Sequence, residues 1–241
     1  MQRLRADGAR LRRPARRPRQ RSGELIGRTI SRIVIEGRAD RETSGGMIIH
    51  TRLNDGTAVC IRTVRKDDEQ RLTQGIARLS TESRYLRFFS GMRQPPQHVI
   101  DALLDVDGHD HIAWGAIASD EPGQPALGVV HAFRDEDDPG QAEFSVTVID
   151  EYQGRGIARL LSTVLLLDCR REDLEKLTVH ILPENRAAIL LAKSLGADHV
   201  HRESGVTIFD IEIEPALASL REVSDVPGIA DVFAAFEAGE G

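Results

Sequence analysis

The run Tyr152-Gln153-Gly154-Arg155-Gly156-Ile157-Ala158 lies directly between an apolar strand-like segment and an apolar helix-like one. Glycines at 154 and 156 permit a tight reversal and let a ligand approach the backbone, and the first N–H groups of the following helix have no partner within it. Free amides and the helix dipole together make an anion site suited to a pyrophosphate, to which the Arg155 guanidinium adds a charge-assisted contact. A glycine-rich turn also marks dinucleotide-binding folds, but there it follows the first strand, with an acid about 20 residues on. Here at least three strand-like segments come first, which argues against that fold.

Other groupings carry less chemistry. His109, Asp110 and His111 have the spacing of metal ligands, yet no second His or Cys pair accompanies them, so no metal is expected. Cys60 and Cys169 fall one in a strand-like and one in a helix-like run, where they read as small apolar fillers and not as a disulfide. His180 reads as a packed strand residue and is held in reserve as an acid or base. Tyr85, Phe88 and Phe89 share one helical face and read as core, while Arg84 and Arg87 face either solvent or an acidic substrate group.

These residues need a scaffold. MIIHTRL and TAVCIRTV flank Asn54-Asp55-Gly56, the signature of a hairpin turn. A helix follows, capped by Asp67 or Asp68 and carrying Leu72, Ile76 and Leu79; a second starts near Ser80 or Thr81, and a third opens after Pro95-Pro96 with Val99, Ile100, Leu103 and Leu104. HIAWGAIA, PALGVVHAF and AEFSVTVID then alternate as three strands of an antiparallel meander. GIARLLSTVLLLDCRRE is an apolar helix with a basic end, LTVHIL a β-branched strand, Asn185 to Leu195 a helix closed by Gly196, and HVHRE and VTIFDIEI a last strand pair around Ser204-Gly205. The tail after Pro215 carries little pattern and is expected to hold a short helix. This order predicts an α/β (α+β) fold: a mixed central sheet with helices on both faces.

Charge divides the chain. Residues 1–33 hold eleven Arg and two acids, net +9, which leaves −15 on the remainder of a chain totalling −6. We expect 1–33 to be a basic disordered tail, 34–56 a transitional segment with a leading strand, 57–215 the principal domain and 216–241 an extension. The tail could neutralise phosphates, but no aromatic residues interleave to stack bases, so nucleic acid ranks second as a partner. No apolar run is long enough to span a bilayer or serve as a secretory signal, and the chain is expected to be cytoplasmic.

At the turn the chain resembles the GNAT superfamily of N-acetyltransferases, whose coenzyme motif is Gln or Arg, two variable residues, Gly, one variable residue, then Gly or Ala. Gln153, Gly156 and Ala158 match it, and Asn185, Ala188, Ile189, Leu191 and Gly196 match the family's later Asn-led helix. The resemblance covers about two-thirds of the chain. It implies acetyl-CoA as co-substrate, with pyrophosphate on the amides of Gly154, Arg155, Gly156, Ile157 and Ala158. It also implies pantetheine along Val146, Thr147 and Val148, where two parallel strands splay apart, and Asn185 beyond the splay.

Direct acyl transfer needs a neutral amine, and an alkylammonium has a pKa of about 10.4, so a positioned base must take its proton. Glu143 precedes the implied pantetheine strand by three residues and shares a face with Ser145 and Thr147. Ala142-Glu143 and LSTESRYLRFF are similar to the bacterial protein-lysine acetyltransferase branch, in which that Glu is the base, so the implied acceptor is a primary amine, a protein lysine. The Tyr that many members carry as general acid on the Asn-led helix is replaced by Ala192. That gap motivates an alternative, a catalytically silent domain that binds acyl-CoA as a sensor.

Overall fold

The structure, a computed structural model, describes residues 47–88, 94–222 and 226–239. The basic segment 1–33 and Phe89 lie outside the described residues. Eight strands form one sheet: β1 (Ile48–Arg52), β2 (Ala58–Thr63), β3 (His111–Ala118), β4 (Ala126–Arg134), β5 (Gln141–Val148), β6 (Lys176–Ile181), β7 (Asp198–Glu203) and β8 (Val206–Glu212). The helices are α1 (Glu69–Arg78), α2 (Thr81–Phe88), α3 (Gln97–Leu104), α4 (Ile157–Arg171), α5 (Arg186–Ser194), α6 (Ile213–Glu222) and α7 (Gly228–Ala238).

The strand order is β1-β2-β3-β4-β5-β6-β8-β7. Every neighbouring pair is antiparallel except β5 and β6, because α4 must carry the chain back across the sheet before β6 can start. The hairpin around Asn54-Asp55-Gly56 and the three-strand meander are present as expected. Their alternating small and β-branched residues put Ile49, Ile61, Trp114, Leu127 and Val130 inside.

Helix α4 buries ten of its fifteen residues. It packs across β3, β4 and β5 on one side and takes α6 and α7 on the other. Each Leu or Ile so buried is worth about 1.5–3 kcal/mol against exposure, so this layer is the main source of stability. α1 and α3 cover the opposite face, where Ile76, Ile100 and Leu104 form a smaller apolar cluster. β1 lies ahead of residue 57 and α7 beyond 215, yet both pack with this same core. In place of the short helix expected after Pro215, two helices follow the last strand. Among the described residues no helix is long and apolar enough to cross a membrane.

Candidate functional site

The glycine turn is built from both ends. A short 3-10 turn, Asp150–Tyr152, leads into it, and Gly154 and Gly156 take φ values of +74° and +88°, in the left-handed region. Gly156 is also crowded: a Cβ there would stand 3.0 and 3.1 Å from the two methyls of Val226. Asp150 accepts bonds from Ser80 N at 3.0 Å and Ser83 Oγ at 2.8 Å, which pins the turn to the start of α2. Burial alone would raise the Asp150 carboxyl, and the bonds from Ser80 and Ser83 outweigh it and hold the group below its ordinary value. Gln153 donates from Nε2 to Val148 O at 3.1 Å, tying the turn back to the end of β5. The first amides of α4 therefore open toward the space beside that strand.

That space exists because β5 and β6 part. Their parallel ladder holds only three pairs, Gln141 with Lys176, Ala142 with Leu177 and Glu143 with Thr178. Beyond Glu143 the β6-facing edge of β5 has no ladder partner, and a cavity of about 800 Å³ opens there. It is lined by Glu143, Val146, Thr147 and Val148 from β5, and by Gln153, Gly154, Gly156, Ile157 and Ala158 from the turn. Asn185 reaches it from the far side, its Oδ1 capping α5 by accepting from Ala188 N at 3.0 Å.

Arg155 is not brought into this cavity. Its guanidinium bonds to Asp55 Oδ2 at 2.9 Å and to Glu151 O at 2.8 Å, and stacks 4.8 Å over the Tyr152 ring. The contact expected of this side chain is replaced by a brace against the β1–β2 turn; its backbone amide keeps its place in the loop. Two other arginines line the cavity: Arg87, from α2, and, nearer the turn, Arg159, third in α4. Its position in the first helical turn was the available signal.

Around Glu143 the wall is polar. Glu143, Ser145 and Thr147 alternate onto one face of β5, and Arg87 from α2 crosses over them, donating to Thr147 Oγ1 at 2.9 Å and Ser145 Oγ at 3.0 Å. Burial pushes the Arg87 guanidinium below its ordinary value, with the Glu143 charge opposing. Across the splay, His180 Nδ1 stands 3.9 Å from Glu143 Oε1. Ala192, buried, lines the cavity and brings no hydroxyl to it.

The remaining histidines are accounted for otherwise. His109 Nδ1 pairs with Glu172 Oε2 at 2.7 Å, whereas His111 turns inward. His111 Nδ1 contacts Asp105 O at 2.9 Å; a carbonyl only accepts, so Nδ1 carries the proton and Nε2 accepts from His131 Nδ1 at 3.0 Å. Burial lowers His111 to about 4 and also pushes His131 well below its ordinary value. Among the described residues no group of three His, Cys, Asp or Glu side chains is arranged to hold a metal ion. Cys169 is fully buried, and burial raises its thiol far above the ordinary value.

Known proteins are similar to this chain in sequence and in fold. Residues 58–198 match the family described as Acetyltransferase (GNAT) domain. Acetyltransferase Pat of Mycolicibacterium smegmatis is 28% identical over 167 residues, 69% of this chain and 49% of its own length, so the chain spans about half of that relative. An acetyltransferase of Pseudomonas aeruginosa is 31% identical over 144 residues, covering 60% of this chain and 77% of that protein. The GNAT domain of S. lividans PAT superposes with a TM-score of 0.64 at 23% identity, over 68% of this chain and 96% of that one, a likeness of fold. With the family's domain matched over more than half of its residues and its splayed strands and glycine turn in place, the chain belongs to the GNAT acetyltransferase family.

Proposed function

We propose that this protein transfers acetyl from acetyl-CoA to a primary amine, a protein lysine side chain, by direct attack within a ternary complex. One observation carries the reading: β5 loses its β6 partner just after Glu143, and the unpaired strand edge, the free amides of the turn and a carboxylate meet in one cavity. The amides of Gly154 through Ala158 would hold the pyrophosphate, helped by Arg159, and the edge from Val146 to Val148 would take the pantetheine amides as a further strand does. Asn185 would close the far side. Glu143 is the base, on the same wall, and strips the ammonium so that a lone pair is available for attack. The similarity of Ala142-Glu143 and of LSTESRYLRFF to the protein-lysine branch supports the acceptor class. That the matched relatives are acetyltransferases favours turnover over a silent coenzyme sensor.

Calorimetry with acetyl-CoA tests the site first. Gly156 is a poor place to probe because Val226 crowds it, whereas a Cβ on Gly154 meets nothing within 4 Å. Gly154→Asn keeps a residue that tolerates positive φ, and Gly154→Asp adds only a charge. Binding by wild type and Gly154→Asn that is lost in Gly154→Asp supports the pyrophosphate seat; equal binding by all three refutes it. Glu143→Gln should bind acetyl-CoA normally and release no thiol with lysine peptides.

A further inference from the structure

Acetylating an ammonium takes two protons from one nitrogen. The first leaves before attack and the second as the amide forms; one ends on the departing sulfur and the other in water. A single carboxylate cannot keep the first proton and also accept the second, and Ala192 carries no group able to protonate sulfur.

We infer that His180 is the second proton-carrying group of this site, and the inference rests on the acetyl-transfer reading above. His180 lies two residues past Thr178, the last β6 residue in the parallel ladder, and strand alternation gives the two the same face. That face meets Glu143 across the gap, with Nδ1 and Oε1 3.9 Å apart. This is beyond hydrogen-bond length, and a small rotation of either side chain or one water closes it; such contacts tighten once substrate is bound. Both side chains are about a third exposed, at 29% and 32%, and both line the cavity, so neither is sealed from the reacting atoms. Their banks differ: Glu143 stands on β5 and His180 on β6, one on each side of the opening. The other charged groups near this face are Arg87, whose charge bears on Glu143, the Lys176–Asp210 pair, 3.1 Å apart beside Thr178, and Asp135 and Arg159, which line the same cavity.

The protons then balance. Glu143 takes the first from the ammonium and passes it to His180, which restores the carboxylate. The nitrogen–carbonyl bond forms, Glu143 takes the second proton, and the carbon–sulfur bond breaks as His180 delivers the first proton to sulfur. Glu143 finally releases its proton to water. The products are the amide, the free thiol and one proton, with neutral His180 and ionised Glu143 ready again.

The test uses the full chain, acetyl-CoA and lysine-containing peptides, reading thiol release over a range of pH together with calorimetric acetyl-CoA affinity. His180→Gln is expected to bind acetyl-CoA as wild type does, keep its KM, and lose on the order of 10²-fold in kcat, the low end for general acid–base groups because a thiolate leaves fairly well unaided. One limb of its pH–rate profile should vanish, and added imidazole should restore part of the rate to His180→Ala. A His180→Gln kcat indistinguishable from wild type, or a loss confined to acetyl-CoA affinity, overturns the role of His180 while leaving acetyl transfer standing. A wild type that binds acetyl-CoA and releases no thiol with any lysine peptide overturns the underlying reading and this inference with it.

Discussion

Arg87 and Thr147 are joined by a 2.9 Å hydrogen bond, Nε to Oγ1, and the same guanidinium reaches Ser145 at 3.0 Å. The two hydroxyls straddle the stretch of β5 whose partner strand has already departed. An unpaired edge bends easily, and a rigid planar cation spanning alternate residues holds it straight.

Replacing that clamp by Arg87→Met should lower stability by about 2 kcal/mol, from the loss of two bonds to a charged group. It should also weaken acetyl-CoA about tenfold, the equivalent of about 1.4 kcal/mol. Arg87→Lys should fall between, since an ammonium cannot span both hydroxyls with a planar fork. Urea titration and calorimetry on the same preparations read both effects.

Gly156→Ala is expected to be costly for two separable reasons. A Cβ at φ +88° costs about 1–2 kcal/mol by itself. The same Cβ presses on Val226, and trimming that residue should return part of the loss. A double-mutant cycle with Val226→Ala should therefore show a coupling of about 0.5–1 kcal/mol in urea unfolding; strict additivity would mean the crowding is relieved elsewhere.

Acid should destabilise this fold before its carboxylates titrate. An unfolded imidazole takes up a proton near about pH 6.5, whereas folded His111 stays neutral until about 4 and burial holds His131 well below its ordinary value. Between those values the unfolded chain binds more protons. Stability is thus full above the unfolded value and falls as pH drops, by up to about 1.4 kcal/mol per pH unit for each imidazole. Urea midpoints from about pH 7.5 down to about pH 5 should show this slope, and His131→Leu should remove about half of it.

Asp168 lies under β3 and accepts from Trp114 Nε1 at 2.7 Å. Burial raises its pKa despite that bond, so the charged form is disfavoured in the folded chain, and the stability it gives at low pH is lost as pH rises. Asp168→Asn keeps an acceptor for the indole and removes the charge. It should raise the neutral-pH melting temperature, with a gain of about 1 kcal/mol.

Much of this was readable because it is local. The hairpin at Asn54-Asp55-Gly56, Ser80 ahead of α2, and the two-residue rhythm of β3 to β5 are each decided within a few residues. The two helices after β8 were also written plainly: Ile213, Ala216, Leu217 and Leu220, then Ile229, Val232, Phe233 and Phe236, recur at helical spacing. Pro215 masks the first of them, although proline is tolerated in a first helical turn. The splay, by contrast, has no local mark, since a ladder ends where two distant strands diverge, and only the family resemblance pointed to it. The same limit applies to Arg155 and Arg159. Both are near the turn, and which one faces the cavity depends on Asp55, far away in sequence. Arg87 and His180 gained their meaning only once β5 and β6 were laid side by side.

The methyls of Val226 rest against Gly156, seventy positions earlier in the chain. During synthesis, the glycine turn emerges long before the residue that packs against it. A nascent chain that ends short of the last helix thus holds the strands and the turn without their back wall. On the proposed reading of the turn, acetyl-CoA affinity should therefore come late as the chain lengthens.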